Sequence, residues 1–527
     1  MCKFYLHIII IFIIFVYYLI TNSIIMILAG IDRDQTFLFT SFNDFISNDN
    51  PVRTIDFFVD LIINENTIEF KYKGESNEGR PAYPVSVLVK LFIYGYINRI
   101  RSSRRLSTEC KRNIELIWLL RGLAPEYRTI AYFRANYKDI ISKYNTLFKQ
   151  KVADLKLTSN EFAIDGSKFK ANASKDMLSR NATLKELEKL DETMQEYLEA
   201  LEKTDKEETA DEELNKEQLE SKIEELESKI AICKAALSTM DSVGKNFISP
   251  TDIECSLMKS RDGCIPAYNV QLAVETKNHF IMGDYVTDSA NDINELALMV
   301  EELETEISAE DITTLTDKGY PDLDVIEQLE ASGRATCYSA LPEEKQDKDF
   351  KYDKERDVYI CPQGKELRRF RMQKSKNNRQ FIKYKCNDCA GCPIRSKCTK
   401  SKTGRMYSRN INQDFRDSYR AKMLESESKE KIKKRGSVVE HVFGNMKVTG
   451  GKIPLLLRGK EKVGTEIKLY VMGYNMKRLI TLFTLPELIE LVSKAKEKEV
   501  EMNRNILFFC IFLQIYSKKQ KYLSYYC

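Results

Sequence analysis

The sequence predicts an α/β protein with a mixed sheet core, a helical N-terminal domain, a coiled-coil insert and a cysteine-rich insert. Apolar residues recur at three- and four-residue spacing through residues 31–150, which is typical of amphipathic helices. Residues 181–240 carry leucine, methionine and isoleucine at heptad spacing. Residues 160–340 alternate short apolar strands with helices, an order that predicts helices covering a central sheet.

Composition limits the chemistry that the chain can perform. A chain of 527 residues with 43% hydrophobic and 30% charged residues is globular, with roughly two to four domains. The net charge is only +4, but 82 basic and 78 acidic side chains allow strong local segregation. The three histidines, at positions 7, 279 and 441, nearly exclude a His-rich metal site or a Ser–His–Asp triad. Acid–base or metal chemistry must therefore rest on carboxylates and cysteines.

Both ends of the chain differ in composition from the middle. Residues 4–30 are strongly apolar and reach the length of about 20 residues that a membrane span needs. A polar run at 21–23 interrupts them, and they lack a small-residue cleavage site. We predict that the native start is near Met26, that 1–30 and 491–527 are poorly evolved extensions, and that the protein is cytoplasmic and nucleoid-associated, with no obligate membrane partner. The alternative is membrane tethering through residues 4–30.

The helical N-terminal region contains a basic stretch, RIRSSRRLSTECKR, between the apolar runs PVSVLVKLFIYGYINRI and NIELIWLLRGL. Helical pairs that carry arginine and lysine often contact DNA phosphates. We therefore expect 31–150 to be a DNA-binding domain, with Arg104 and Arg105 among its phosphate contacts. The alternative is an ordinary helical domain with a solvated basic face.

The middle of the chain predicts a sheet that an insert interrupts. EFAID reads as a strand that Asp165 closes, with Gly166 turning the chain, and DITTLTD reads as a later strand that Asp317 closes. The coiled-coil insert, 181–240, lies between these strands and predicts a spacer or a dimerisation arm. After it, the order strand, turn, strand, helix, strand, helix, strand fits an RNase H-like core.

Two aspartates at strand ends and an acid on a helix can hold metal ions together. Glu440 lies in the basic amphipathic segment KKRGSVVEHVFGNMK. Phosphoryl transfer to DNA commonly uses two divalent ions about 4 Å apart, and hard oxygen ligands suit Mg²⁺. The alternative for any one of 78 acids is a solvated surface residue, and spacing alone does not select these three.

Three sequence blocks do select them. DGSKFKANASK, TDKGYPD and RGSVVEHVFGNMK resemble, in order, the signature blocks of insertion-sequence DDE transposases, most closely the group eleven-eighty-two elements, over roughly residues 31–490. The resemblance implies the catalytic triad Asp165, Asp317 and Glu440 with two Mg²⁺ or Mn²⁺ ions. It also implies Lys447 as a phosphate contact.

The same resemblance implies partners and shows two departures. The implied partners are double-stranded DNA, as terminal inverted repeats and as target, and a second copy of the chain in a synaptic homodimer. Lys434 and Arg435 would neutralise phosphates, although Gly436 occupies the offset where the family has arginine. Ser256 stands where a further block usually has arginine, which would suit a weakened or inactive copy.

A cysteine cluster precedes the glutamate block. ICPQGKEL and CNDCAGCPIRSKC supply five candidate metal ligands, which are Cys361, Cys386, Cys389, Cys392 and Cys398. Four thiolates at this spacing predict a structural tetrahedral Zn²⁺ site with one cysteine spare. An iron–sulfur cluster and a metal-free fold are the alternatives. The surrounding basic residues would let this insert touch DNA.

These patterns lead to one function and one alternative. We expect a DDE transposase that catalyses metal-dependent cleavage and strand transfer at terminal inverted repeats. The alternative is a catalytically inactive, transposase-derived, zinc-containing DNA-binding protein. The predicted boundaries are 1–30 for the apolar extension, 31–150 for the helical domain, 160–340 for the first part of the core with its coiled coil at 181–240, 341–410 for the cysteine-rich insert, 411–490 for the part of the core with the glutamate, and 491–527 for the C-terminal extension.

Overall fold

A computed structural model gives the fold of the chain. It describes residues 36–37, 40–66, 82–204, 210–260, 263–341, 350–374, 380–450 and 455–498. The predictions for residues 1–30, including a membrane segment and a start at Met26, lie outside these ranges. Within them, no helix combines the length and the apolar character that crossing a membrane requires.

The N-terminal region is helical, as its periodicity predicts. A short hairpin of β1 (Thr36–Phe37) and β2 (Thr40–Ser41) leads into a 3₁₀ turn and then into six α-helices. The helices are α1 (Pro51–Asn66), α2 (Val85–Ile97), α3 (Ser103–Arg112), α4 (Ile114–Leu119), α5 (Tyr127–Asn136) and α6 (Lys138–Asp154). Helix α2 is buried along nearly its whole length. It is therefore the central helix of this region.

The next part holds a mixed sheet and a helical hairpin. The strands are β3 (Glu161–Lys170), β4 (Leu178–Ser179), β5 (Phe247–Ile248), β6 (Ser256–Ser260), β7 (Gly263–Glu275), β8 (Ile281–Thr287), β9 (Ile312–Thr316) and β10 (Ala335–Ser339). The heptad segment forms two helices that pack on each other, α7 (Arg180–Thr204) and α8 (Ala210–Val243), with β4 and β5 paired at their base. The sheet is covered by α9 (Glu295–Ile307) and α10 (Leu323–Ala331).

The central sheet has the strand order β10-β9-β3-β7-β6, and β8 also pairs with β7. Strand β3 lies in the middle, antiparallel to β7 and parallel to β9, and β9 is parallel to β10. An antiparallel β3-β7-β8 group that continues into two parallel strands is the mixed arrangement expected of an RNase H-like core. The predicted fold class is confirmed.

The cysteine-rich segment forms a separate antiparallel sheet. Its strands, in spatial order, are β11 (Lys351–Asp353), β12 (Val358–Ile360), β13 (Glu366–Lys374), β14 (Gln380–Lys385) and β15 (Met406–Asn410). Helix α11 (Arg395–Cys398) lies between β14 and β15. The helices that follow the sheet are α12 (Gln413–Leu424), α13 (Ser426–Gly450), α14 (Lys460–Leu482) and α15, at residues 485–498. Part of the predicted C-terminal extension, 491–498, thus continues a helix in which Val492 is buried.

Helix α14 joins the N-terminal helices to the central sheet. The buried side chain of Asn475 accepts from the Ile281 backbone N–H at 2.9 Å and donates to its carbonyl at 2.8 Å. On its other side, a methyl group added at Gly473 would lie 2.6 Å from Tyr96 Cβ. The absence of a side chain at Gly473 therefore allows close packing of α14 on α2.

A buried ion cluster fixes α6 on the same sheet. Lys149, on α6, lies 2.5 Å from Asp284 Oδ1 on β8, and both side chains are almost fully buried. Asn145 donates to the same carboxylate at 2.7 Å, and Lys468 of α14 lies 3.6 Å away. Burial alone would raise the pKa of Asp284, but Lys149 and Lys468 outweigh it and hold this pKa below its usual value. The carboxylate therefore stays ionised inside the protein.

We predict that Lys149→Met destabilises the fold because it removes the nearest counter-charge of the buried Asp284 and leaves only Lys468, 3.6 Å away. Removing one partner of a buried ion pair costs about 3 kcal/mol of unfolding free energy. The control is Lys229→Met, which breaks the exposed Lys229–Glu225 pair on α8 and should cost about 0.5 kcal/mol or less. Denaturant unfolding of the two variants measures both values, and equal losses would contradict the prediction.

Candidate active site

The pairing of two parallel strands brings Asp165 and Asp317 together. Strand β3 pairs with β9 from Glu161↔Thr313 to Ala163↔Leu315. Continued by two residues, this register places Asp165 level with Asp317, the first residue after β9. The prediction that Asp165 closes its strand is wrong, because β3 continues to Lys170.

The prediction that Gly166 turns the chain is also wrong. Gly166 pairs with Gln271 inside the sheet. A methyl group added there would lie 2.3 Å from Gln271 Nε2 and 2.5 Å from Asp292 Oδ1. The glycine is needed for close approach of side chains to the strand backbone and not for a turn.

The electrostatics of Asp165 indicate a site that favours added positive charge. Burial is the main cause that raises the pKa of Asp165 to about 6, and the charge of Asp317 adds to the rise. Arg435 opposes it from α13, with Nη1 3.1 Å from Asp165 Oδ2. The Gly166 N–H donates to Oδ1 at 2.9 Å and acts in the same direction as Arg435. Even with these partners, the charged form of Asp165 is less favourable in the protein than it would be for the same carboxyl group in water.

Asp317 is held by a tight turn. The Gly319 N–H donates to Asp317 Oδ1 at 2.7 Å, and the Ser339 hydroxyl donates to the Asp317 carbonyl at 3.3 Å. Ser339 is in turn the acceptor of a 2.6 Å hydrogen bond from Thr316 on β9. The carboxylate therefore has a fixed direction beside Asp165.

A third carboxylate, Asp292, lies close to this pair and was not found from the sequence. Asp292 Oδ1 accepts from the Asn269 side chain at 2.7 Å and from the Gln271 side chain at 2.6 Å. A methyl group on Gly319 would lie 3.8 Å from Asp292 Oδ2 and 3.0 Å from Asp317 Oδ1. In the sequence, Asp292 is recognisable only as an acid in the loop before α9. An acid at such a position commonly caps the helix that follows.

Glu440 lies on α13, the helix that covers β3. Arg435 and Phe443 of this helix contact Asp165 and Phe169 of β3, respectively. Val438 and Val439 are buried beneath the helix, whereas the Glu440 side chain is exposed and lies over Gly436. Glu440 is thus on the helix that touches Asp165, but it does not form a metal-holding group with the two aspartates.

The donor set suits a hard divalent ion, although the side chains are not arranged as a closed site. In the described part of the chain, no three His, Cys, Asp or Glu side chains are grouped so that they could hold a metal ion. Asp165 and Asp317 are nevertheless neighbouring carboxylates whose negative charge is not fully compensated by nearby cations. Carboxylate oxygens are the ligands that Mg²⁺ prefers. These two residues fit the ion, and Arg435 provides part of the compensating charge.

The predicted DNA contacts fall into different environments. Arg104 and Arg105 are exposed on α3, with the Arg104 guanidinium 5.4 Å from the Tyr127 ring centre. Lys434 pairs with Glu161 at 2.7 Å. Lys447 lies 5.7 Å from the Phe169 ring centre, on an exposed part of α13. Arg435, which points at Asp165, is largely buried.

Other basic residues of the N-terminal stretch have structural partners. Arg101 is buried against Glu466 of α14 at 2.7 Å, and Lys111 pairs with Glu126 at 2.9 Å. Arg101 therefore fixes the loop before α3 to the core. A basic run in sequence is not by itself a free basic surface.

The five cysteines of the cluster lie near one another in the turns of the second sheet, but in the described chain they are not grouped as a closed metal site. Burial, together with a hydrogen bond to Cys389, raises the pKa of Cys386 to about 11. Burial also raises the pKa of Cys398, and Cys389, Cys392 and Cys361 are close enough to add to that rise. The backbone N–H of Lys365 donates to Cys361 Sγ at 3.3 Å. Neighbouring thiols with N–H donors provide the ligand chemistry that Zn²⁺ uses.

Comparison with protein families gives two matches. Residues 360–480 match the family model described as a transposase DDE domain. Residues 40–136 match the model described as a transposase domain (DUF772). The first match contains Glu440 and the whole cysteine cluster, and Asp165 and Asp317 lie between the two matches. No curated protein and no solved structure matches the chain.

We predict that Asp292→Ala destabilises the protein by leaving the buried amides of Asn269 and Gln271 without their shared acceptor. An unsatisfied buried donor costs about 1–3 kcal/mol of unfolding free energy. Asp292→Asn retains a carbonyl acceptor and serves as the matched control with a smaller loss. Thermal and denaturant unfolding test this pair, and an Ala variant as stable as the wild type would rule out the bonding role.

Proposed function

Because its two matched domains identify the chain as an insertion-sequence DDE transposase, we propose that it cleaves DNA at the element's terminal inverted repeats and joins the freed 3′-hydroxyl to target DNA. The observation that carries this proposal is the placement of Asp165 beside Asp317 on parallel strands. The narrower resemblance to group eleven-eighty-two elements stays a prediction.

In this proposal Asp165 and Asp317 would hold divalent ions. When bound, such ions would supply the chemistry of activating a water or 3′-hydroxyl and of stabilising the leaving oxygen. The Gly319 N–H orients Asp317. Arg435 keeps Asp165 from repelling Asp317 before DNA arrives, since its guanidinium is the nearest compensating charge.

Glu440 is proposed as the third acid because of the helix that carries it. Glu440 and Lys447 are seven residues apart on α13 and so share one face, the face on which Phe443 and Lys447 meet Phe169. Exposed groups on this face are open to a bound duplex. We propose that Lys447 contacts phosphate while Glu440 completes the acidic set.

Further DNA contacts are proposed on the N-terminal helices and near the start of α13. Arg104 and Arg105 project from α3, whose N-terminus Ser102 caps through its hydroxyl. Lys434 remains half-exposed despite its pair with Glu161. Each phosphate neutralised by such side chains makes binding more sensitive to salt. A homodimer is proposed because two element ends must be held together during transfer.

We propose a structural zinc ion in the cysteine cluster, bound by four of the five thiolates. A thiol must lose its proton to bind a metal ion, so zinc binding would release protons from these cysteines and its charge would offset their mutual repulsion as thiolates. The site would brace the turns that join β12 to β13 and β14 to β15.

We expect Asp317→Asn to abolish cleavage of a duplex that carries the terminal repeat, with DNA binding retained, because the fold and the basic residues are unchanged. Asp311→Asn, at the exposed opposite end of β9, is the control and should cleave normally. Gel analysis of labelled duplex in Mg²⁺ or Mn²⁺ measures the reaction. Unchanged cleavage by Asp317→Asn would exclude the proposed enzyme; binding without cleavage by the wild type would support the inactive DNA-binding alternative.

For the cysteine cluster, we expect about one zinc per chain in purified protein and a clear loss of zinc in Cys389→Ser. Cys264→Ser is the control, because Cys264 is exposed and remote from the cluster in sequence. Elemental analysis of both variants measures the content. Visible absorbance from bound iron and sulfide, with no zinc, would show the iron–sulfur alternative instead.

A further inference from the structure

One face of the cysteine-rich sheet is unusually basic. Residues directly opposite on antiparallel strands share a face. Arg368 of β13 pairs with Lys385 of β14, and Arg371 pairs with Lys383. These four residues, here called the basic strand face, form two neighbouring cross-strand pairs. On the far side of Lys385, Met406 of β15 is its partner.

The opposite face of this sheet forms its own small core. Tyr359, Leu367, Tyr384 and Cys386 are buried together there. On β13, in contrast, every residue from Arg368 to Lys374 is exposed. The basic strand face is therefore an outer surface of the described fold.

Each of these cross-strand pairs places two positive charges directly opposite each other, which is unfavourable for the stability of the sheet. Strands β13 to β15 contain seven Arg or Lys residues and one acid, Glu366. Glu366 pairs with Arg368 at 3.2 Å and also with Arg356, and Lys383 donates to the Ser408 hydroxyl. One carboxylate cannot offset both pairs of cations. An external polyanion would relieve this repulsion.

An exposed aromatic ring lies among these cations. The register of β13 shifts between Arg369 and Arg371, so Phe370 falls in a bulge without a cross-strand partner. Its side chain is 54% exposed. Lys385 Nζ lies 5.3 Å and the Arg371 guanidinium 5.8 Å from the ring centre, so the cations flank the ring. Basic groups interleaved with an exposed aromatic are typical of nucleic-acid surfaces.

The sheet is firmly attached to the catalytic core. Strand β15 leads into α12, where Arg416 pairs with Asp324 of α10 at 2.7 Å and Lys422 pairs with Glu330 at 2.8 Å. Tyr419 donates to the Cys337 carbonyl of β10 at 3.1 Å. Because α10 begins shortly after Asp317, α12 links the second sheet to elements that lie close to the candidate active site.

We propose that the basic strand face binds the sugar–phosphate backbone of duplex DNA beyond the catalytic carboxylates, with Phe370 packed against the same duplex. This inference rests on the proposed function, which supplies the duplex. It adds a second, sequence-independent contact surface on the cysteine-rich sheet. Its contribution to affinity is electrostatic and must fall with salt.

The test compares the full-length wild type with a variant that has glutamine at all four cations, Arg368→Gln, Arg371→Gln, Lys383→Gln and Lys385→Gln. Fluorescence anisotropy with a terminal-repeat duplex and with a random-sequence duplex, over a salt series, gives the affinity and its salt slope. The matched control removes four exposed lysines from the helical hairpin, Lys185, Lys189, Lys222 and Lys234. Zinc content and circular dichroism establish that each variant is folded.

We expect the variant to bind both duplexes more weakly, with the logarithmic salt slope reduced by about 3–4, roughly one for each cation that no longer neutralises a phosphate. Phe370→Ala should weaken binding without changing the slope. A folded variant with the wild-type slope would overturn the inference, even where wild-type cleavage supports the proposed function. A wild type that binds but does not cleave would instead count against the proposed function alone.

Discussion

The register between β3 and β9 is the constraint on which the candidate site depends. A shift of one residue would turn the side chain of Asp165 to the other face of the sheet. Backbone and side-chain bonds fix this register: the Thr313 N–H donates to the Asn160 carbonyl at 2.8 Å, and the Asn160 side chain donates to the Glu310 carbonyl at 2.9 Å. These bonds lie at the start of the two strands. The backbone pairing that continues from them sets the positions of Asp165 and Asp317 relative to each other. The relative position of the two aspartates thus depends on pairing at the start of the strands.

Helix α13 provides the second constraint, because it contacts β3 at successive points. Lys434 pairs with Glu161, Arg435 with Asp165, and Phe443 packs near Phe169. A helix held at three points along a strand cannot rotate freely, so the direction of every other side chain on it is set. Glu440 is therefore exposed at a defined place on the helix that covers the central strand.

Sequence patterns predicted the elements that follow local rules and missed those that depend on distant contacts. The heptad run predicted the helical hairpin because helix pairing repeats every few residues. Gly166 was misread because a glycine after an apolar strand usually marks a turn, whereas here distant Asp292 and Gln271 require the space. The position of Asp292 before α9 is a signal of helix capping and does not select it as a site residue among 78 acids. Arg101 belongs to the basic stretch of the sequence, and only its partner Glu466, far along the chain, makes it structural.

The cysteine cluster and the candidate site are connected through short covalent and packed links. Strand β15, next to the cluster, leads into α12 and then directly into α13, and Arg409 at the end of β15 pairs with Asp414 of α12. The cluster and the helix that carries Arg435 and Glu440 are therefore separated along the chain only by β15 and α12. Helix α12 is itself fixed by its ion pairs with α10. The insert is consequently held relative to α13 through α12, and its cysteines take no part in that attachment.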